Sequence, residues 1–198
     1  MGRSSKQRAD TVRTFICIEL PDSIKSRIAE LQVALKSLGA QISWVKPSNI
    51  HLTLKFLGGV PAPKLVSVIE TVTHVAKLIS PFDIEIGGTG CFPTSRNPRV
   101  FWVGLGATPE QLQKLYDGVE GGLARLEFAR ESRGFSPHLT IARVREHQGA
   151  RAVAEQLIIH GFTPETMRVS EVVVMQSDLK PTGSVYTPRS IIQIGLPG

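Results

Sequence analysis

Hydrophobic and polar positions along the chain switch between two periods. VRTFICIEL (12–20) is rich in β-branched and aromatic residues and predicts a strand. PDSIKSRIAELQVALKSLG (21–39) sets Ile24, Ile28, Leu31, Leu35 and Leu38 at steps of four, three, four and three, which is one helix face. Pro21 suits its first turn and Gly39 its C-terminal stop. ISWV (42–45) predicts a short strand and NIHLTLKFLG (49–58) a longer one. APKLVSVIETVTHVAKLI (62–79) is a second amphipathic helix, apolar through Leu65, Val68, Ile69, Val72, Ala76 and Ile79. FDIEIGG (82–88) alternates apolar and acidic residues, as a half-buried strand does.

The order of elements then starts over. RVFWVGL (99–105) is a strand, and PEQLQKLYDGVEGGLARLEF (109–128) is a helix with a weak point at Gly121-Gly122. HLTIARV (138–144) is a strand and ARAVAEQLII (150–159) a helix. RVSEVVVMQSDL (168–179) is a strand, KPTG (180–183) a turn, and VYTPRSIIQIGL (185–196) a last strand completing a hairpin. His51 and His138 lie 87 positions apart, Phe15 and Phe101 lie 86 apart, and Pro21 and Pro109 lie 88 apart. The layout repeats although the residues do not. These elements predict an α+β fold of two pseudo-symmetric β-α lobes, with antiparallel sheets around a central cleft. The chain is expected to divide into a disordered basic tail, 1–10, and a single bilobal domain, 11–198.

Composition changes this picture little. The 198 residues, 41% hydrophobic and 20% charged, suit one sizeable core. A net charge of +6 favours anionic partners such as nucleic acid, although Arg3, Lys6 and Arg8 of the tail hold part of the excess. Two cysteines, Cys17 and Cys91, have no metal-ligand or disulfide-framework spacing, so a reducing, cytoplasmic setting is expected. No apolar run is long enough to span a membrane, and the first one, FICIEL, ends at a proline.

The chemistry lies in a motif written twice. HLTLKFLG opens at His51 and HLTIAR at His138. Strand alternation puts His51 with Thr53, and His138 with Thr140, on one face, leaving Leu52, Leu54, Leu139 and Ile141 for the core. One such histidine is ordinarily structural; two at equivalent places can converge on one cleft. Two imidazoles and two hydroxyls suit displacement at a phosphodiester. One histidine takes a proton from the attacking water, the other protonates the departing oxygen, and the threonines donate hydrogen bonds to the phosphate. No metal or cofactor is expected. His74, His147 and His160 sit without partners in helical or loop stretches. GGTGCF (87–92) lacks the lysine and the following helix of a phosphate loop, and reads as a turn or mobile loop. SRNPR (95–99) and ARESRG (129–134) are either solvated loops or rims facing RNA.

RTFICIELP, WVKPSNIHLTLKFLG, GTGCFPTSRNPRVFWVGL, FSPHLTIARV and SDLKPTGSVYTP together resemble the 2H phosphoesterase superfamily. Within it they are similar to the bacterial and archaeal RNA 2′,3′-cyclic phosphodiesterases, formerly called 2′-5′ RNA ligases. The resemblance implies hydrolysis of RNA 2′,3′-cyclic phosphate ends to 2′-phosphates without metal. His51 would protonate the leaving 3′ oxygen and His138 would activate water. Thr53 and Thr140 would hold the phosphate oxygens, Arg143 would contact the phosphate, and Phe56 would stack on a nucleobase. Strict alternation opposes the last two, since it turns Arg143 away from His138 and puts Phe56 in the core; both roles require a bulge or twist in the strand. Lys55 falls on the His51 face, as a solvated group at the cleft rim. The alternative is a catalytically silent RNA-binding module of the same fold. A monomer is expected, because one chain closes its own site.

Overall fold

Residues 11–181 and 183–195 are described by the computed structural model, so the predicted basic tail lies outside them. The first half comprises β1 (Thr11–Glu19), α1 (Asp22–Lys36), β2 (Ile42–Trp44), β3 (His51–Pro61), α2 (Ala62–Lys77) and β4 (Phe82–Thr94). The second comprises β5 (Asn97–Leu105), α3 (Glu110–Arg125), β6 (Leu139–Val144), α4 (Ala150–His160), β7 (Glu165–Val169), β8 (Glu171–Lys180) and β9 (Gly183–Gln193). No helix among the described residues is long and apolar enough to cross a membrane.

The pairings join the two halves into one nine-stranded antiparallel sheet, in the order β7-β4-β5-β6-β3-β1-β8-β9, with β2 beside β6. That order is symmetric about the β3–β6 seam: β1 and β5 flank it, then β8 and β4, then β9 and β7. The seam is narrow, with Leu52 paired to Leu139. One face of the sheet carries Ile16, Ile18, Leu52, Leu54, Leu139 and Ile141, all buried in a core shared with α1, α2, α3 and α4. Burying a side chain of this kind contributes roughly 1.5–3 kcal/mol, which is why the apolar phase of each strand fixes its inward face. The opposite face forms the cleft.

Three local expectations change. GGTGCF is no loop: it continues β4, with a register shift between Ile86 and Thr89 that absorbs its glycines. The run 168–179 breaks at Ser170 into β7, which pairs with β4, and β8, which pairs with β1 and β9. Gly121-Gly122 does not break α3. A methyl at Gly122 would come within 2.6 Å of Thr71 Cγ2, and one at Gly118 within 2.6 Å of Val75 Cγ1. These glycines let α3 approach α2, and that packing offsets their poor helix propensity.

Candidate active site

Antiparallel counting from the Leu52–Leu139 pair sets Thr53 level with His138, and His51 level with Thr140. In that register each motif's threonine is level with the other's histidine across the seam. The two rings are held alike. His51 Nδ1 lies 2.8 Å from the Asn49 carbonyl and His138 Nδ1 lies 2.7 Å from that of Ser136, two residues earlier in each case. A carbonyl only accepts, so both Nδ1 atoms carry the proton and donate it, which leaves Nε2 free for chemistry.

Their surroundings differ. His51 stacks on Phe15, with centroids 4.6 Å apart, and takes the edge of Tyr186 at 5.4 Å. Burial pushes its pKa below the ordinary 6.5, and the Asn49 carbonyl opposes that shift. His138 meets the edge of Phe92 at 5.0 Å and opens on a cavity of about 780 Å³. Thr53, Phe56, Thr140 and Arg143 line the same cavity.

A bulge after each threonine explains how Phe56 and Arg143 arrive there. On β3, Cys17 pairs with Thr53 and Ile16 with Lys55, so Leu54 is the extra residue. On β6, Trp102 pairs with Thr140 and Phe101 with Ala142, so Ile141 is the extra residue. Leu54 and Ile141 are again 87 apart. Each bulge makes two successive residues inward-facing and reverses the alternation beyond them. Phe56 is therefore 65% exposed rather than in the core, and Arg143 faces the cleft. The bulge required by the Arg143 assignment is present.

Lys55 overturns its expectation as a solvated rim group. It is buried, with Nζ 2.6 Å from Glu120 Oε1 and 2.8 Å from the Ala129 carbonyl. Gln32 occupies the corresponding place in the first half, 88 residues before Glu120. Its amide donates to the Val45 carbonyl at 2.8 Å and to the Ile141 carbonyl at 2.9 Å, inside the second bulge. The helix pattern passes over both residues because they are polar. Their signal is a buried polar position repeated at the spacing of Pro21 and Pro109. Among the described residues no cluster of three His, Cys, Asp or Glu side chains is gathered as metal ligands.

This is a duplicated fold with one His-x-Thr strand from each half, and comparison with known families agrees. The model of LigT-like phosphoesterases matches twice in succession, at residues 18–102 and 103–186. The chain belongs to that family. Among curated relatives, the RNA 2′,3′-cyclic phosphodiesterase of Methanothermobacter thermautotrophicus is 34% identical over 92% of this chain and 99% of its own. That of Thermotoga maritima is 34% identical over 88% of this chain and 91% of its own. Among solved structures, TT0787 of Thermus thermophilus superposes with a TM-score of 0.76 at 26% identity, covering 92% of this chain and 97% of its own.

Proposed function

We propose that this chain is an RNA 2′,3′-cyclic phosphodiesterase that opens the cyclic end to a 2′-phosphate. Family membership and the names of its relatives support the activity. What supports the mechanism is the pair of imidazoles, each with Nδ1 tied to a carbonyl, on strands whose Leu52–Leu139 register sets each level with the other motif's threonine.

His138 Nε2 takes a proton from water as its oxygen attacks phosphorus. The bond from phosphorus to the 3′ oxygen breaks in line, and His51 returns a proton to that oxygen. The charge lost by one ring is gained by the other, so the pair is ready for the reverse step. Burial makes the His51 imidazolium a strong donor, and an anionic phosphate arriving beside it favours its charged form. Thr53 and Thr140 donate to the non-bridging oxygens. Arg143 adds a charge-assisted contact to the phosphate. Phe56, already exposed in the cleft, offers a face for the terminal base. Ligation to a 2′-5′ linkage is the same displacement with a ribose 5′-hydroxyl attacking in place of water, the 3′ oxygen again leaving. It is a minor outcome because water is in excess. A binding module would not need a proton donor and a proton acceptor set opposite each other.

One chain supplies both motifs, which supports a monomer in which residue 11 onward acts as a single bilobal unit. Two free cysteines, one buried and one half-buried, suit the cytoplasm.

The test is hydrolysis of a short RNA ending in a 2′,3′-cyclic phosphate, run in EDTA. The 2′-phosphate is the expected product, with kcat about 10²–10⁴-fold lower in His51→Ala and in His138→Ala. Near-normal turnover in either variant would sink the two-histidine mechanism. Activity lost in EDTA and restored by zinc or manganese would replace it with a metal site.

A further inference from the structure

The two halves part company at one place beside the cleft. In the first half β2 runs along β6, with Ser43 paired to Arg143 and Trp44 to Ala142. The repeat of 87 residues would set segment 129–131 along Lys55, Phe56 and Leu57 in the same way. No such pairing is present among the described residues. Lys55 stands where the other half has Ala142, and its long side chain occupies the interval. Its ammonium holds the Ala129 carbonyl at 2.8 Å, while Glu120 holds the Glu131 N–H at 3.1 Å. Further along, Phe135 stacks on Tyr116 with centroids 4.0 Å apart. The loop 129–136 is therefore fixed at Ala129, Glu131 and Phe135 yet kept off the sheet. The space between is the cavity that Thr53, Phe56 and His138 share with Arg130 and Arg133.

We propose that this loop is a second-nucleotide subsite, in which Arg130 and Arg133 bind the phosphodiester immediately 5′ of the terminal nucleotide. The inference rests on the functional reading above and names its substrate class: the end of an oligoribonucleotide, in preference to a cyclic mononucleotide. Only an oligonucleotide carries a second anion one nucleoside away from the cyclic phosphate. The loop offers two guanidinium groups against one carboxylate, that of Glu131. Arg133 Nε lies 3.6 Å from Glu131 in an exposed pair, which water leaves weak and exchangeable. Arg130 makes no ion pair among the described residues. It is the counterpart of Ser43, so the broken symmetry leaves a cation on the cavity that Phe56 lines, where the first half has Ser43 paired directly with Arg143.

The experiment measures dissociation constants for adenosine 2′-phosphate and for the dinucleotide ApA bearing a 2′-phosphate, at several salt concentrations. Wild type and R130Q/R133Q are compared. Both arginines are exposed, so the variant keeps its core. Wild type is expected to bind the dinucleotide about tenfold tighter, the gain of one charge-assisted contact. Its log–log salt slope should be steeper than that of the mononucleotide by about 0.7, the value for one further phosphate contact on a single strand. In the double variant both differences should vanish. Equal affinities in wild type, or a preference that survives in the variant, would overturn the proposal. Hydrolysis of adenosine 2′,3′-cyclic phosphate by the wild type, measured alongside, tests the activity by itself, because that substrate has no 5′ phosphodiester.

Discussion

Gln32 offers the sharpest test of how the fold sets the site. Its side chain is fully buried and spends both amide protons on carbonyls, those of Val45 and Ile141, at 2.8 and 2.9 Å. Gln32→Met keeps nearly the same shape and removes both bonds. Two net hydrogen bonds contribute about 1 kcal/mol each, and a buried carbonyl left unpaired costs about 1–3 kcal/mol more. Ile141 retains a second donor, the Val45 N–H at 3.0 Å, so the penalty falls mainly on the Val45 carbonyl. The sum is a loss of about 3–5 kcal/mol, read from urea unfolding as a lower midpoint at unchanged slope. The functional consequence is separate. Ile141 is the bulged residue that turns Arg143 into the cleft, and a freed bulge relaxes toward regular alternation. A displacement on the order of 1 Å at a reacting group lowers turnover by up to about 100-fold, so kcat/KM should fall roughly 10–100-fold. Stability within about 0.5 kcal/mol of wild type would refute the burial argument. A destabilised variant with normal kcat/KM would show that the bulge persists without its anchor, and would refute the link from Gln32 to Arg143.

Three further outcomes follow from the same geometry. The plot of kcat/KM against pH should be bell-shaped, since one ring must be charged and the other neutral. His51 must hold its proton to act as the acid, and burial holds its pKa below 6.5, so the limb set by His51 should lie below pH 6.5. Tyr186→Ala admits water to the His51 ring and should move the limb upward; an unmoved limb would exclude burial as the cause. Lys55→Met leaves Glu120 charged and unpaired in the interior and should cost about 3–5 kcal/mol, whereas Lys55→Met with Glu120→Leu should recover most of it. A single-variant cost under about 1 kcal/mol in urea would show that the pair is solvated. Phe56→Ala should leave the unfolding midpoint in place, because the ring is 65% exposed, and should raise KM roughly 5–150-fold, as one lost base stack of ~1–3 kcal/mol would. An unchanged KM would return Phe56 to a role without substrate.

The amino-acid sequence by itself determined the order of the elements apart from the break at Ser170, the faces of the helices and the duplicated His-x-Thr motif. These are local properties. A 3.6-residue or two-residue period is carried by neighbouring side chains, and a repeat is visible as a spacing of 86–88 positions between residues of the same kind. The chemistry of the motif was legible for the same reason, since His51 and Thr53 share a face whatever their strand pairs with. Tertiary structure alone decided the rest. The side on which Phe56 and Arg143 emerge depends on a bulge, which is a mismatch in count between two strands and is recorded in neither. The placing of Thr53 level with His138 depends on which strands meet at the seam and in what register. Lys55 is a surface residue by composition, and it is buried only because Glu120, on a helix 65 positions away, supplies the charge that makes burial tolerable.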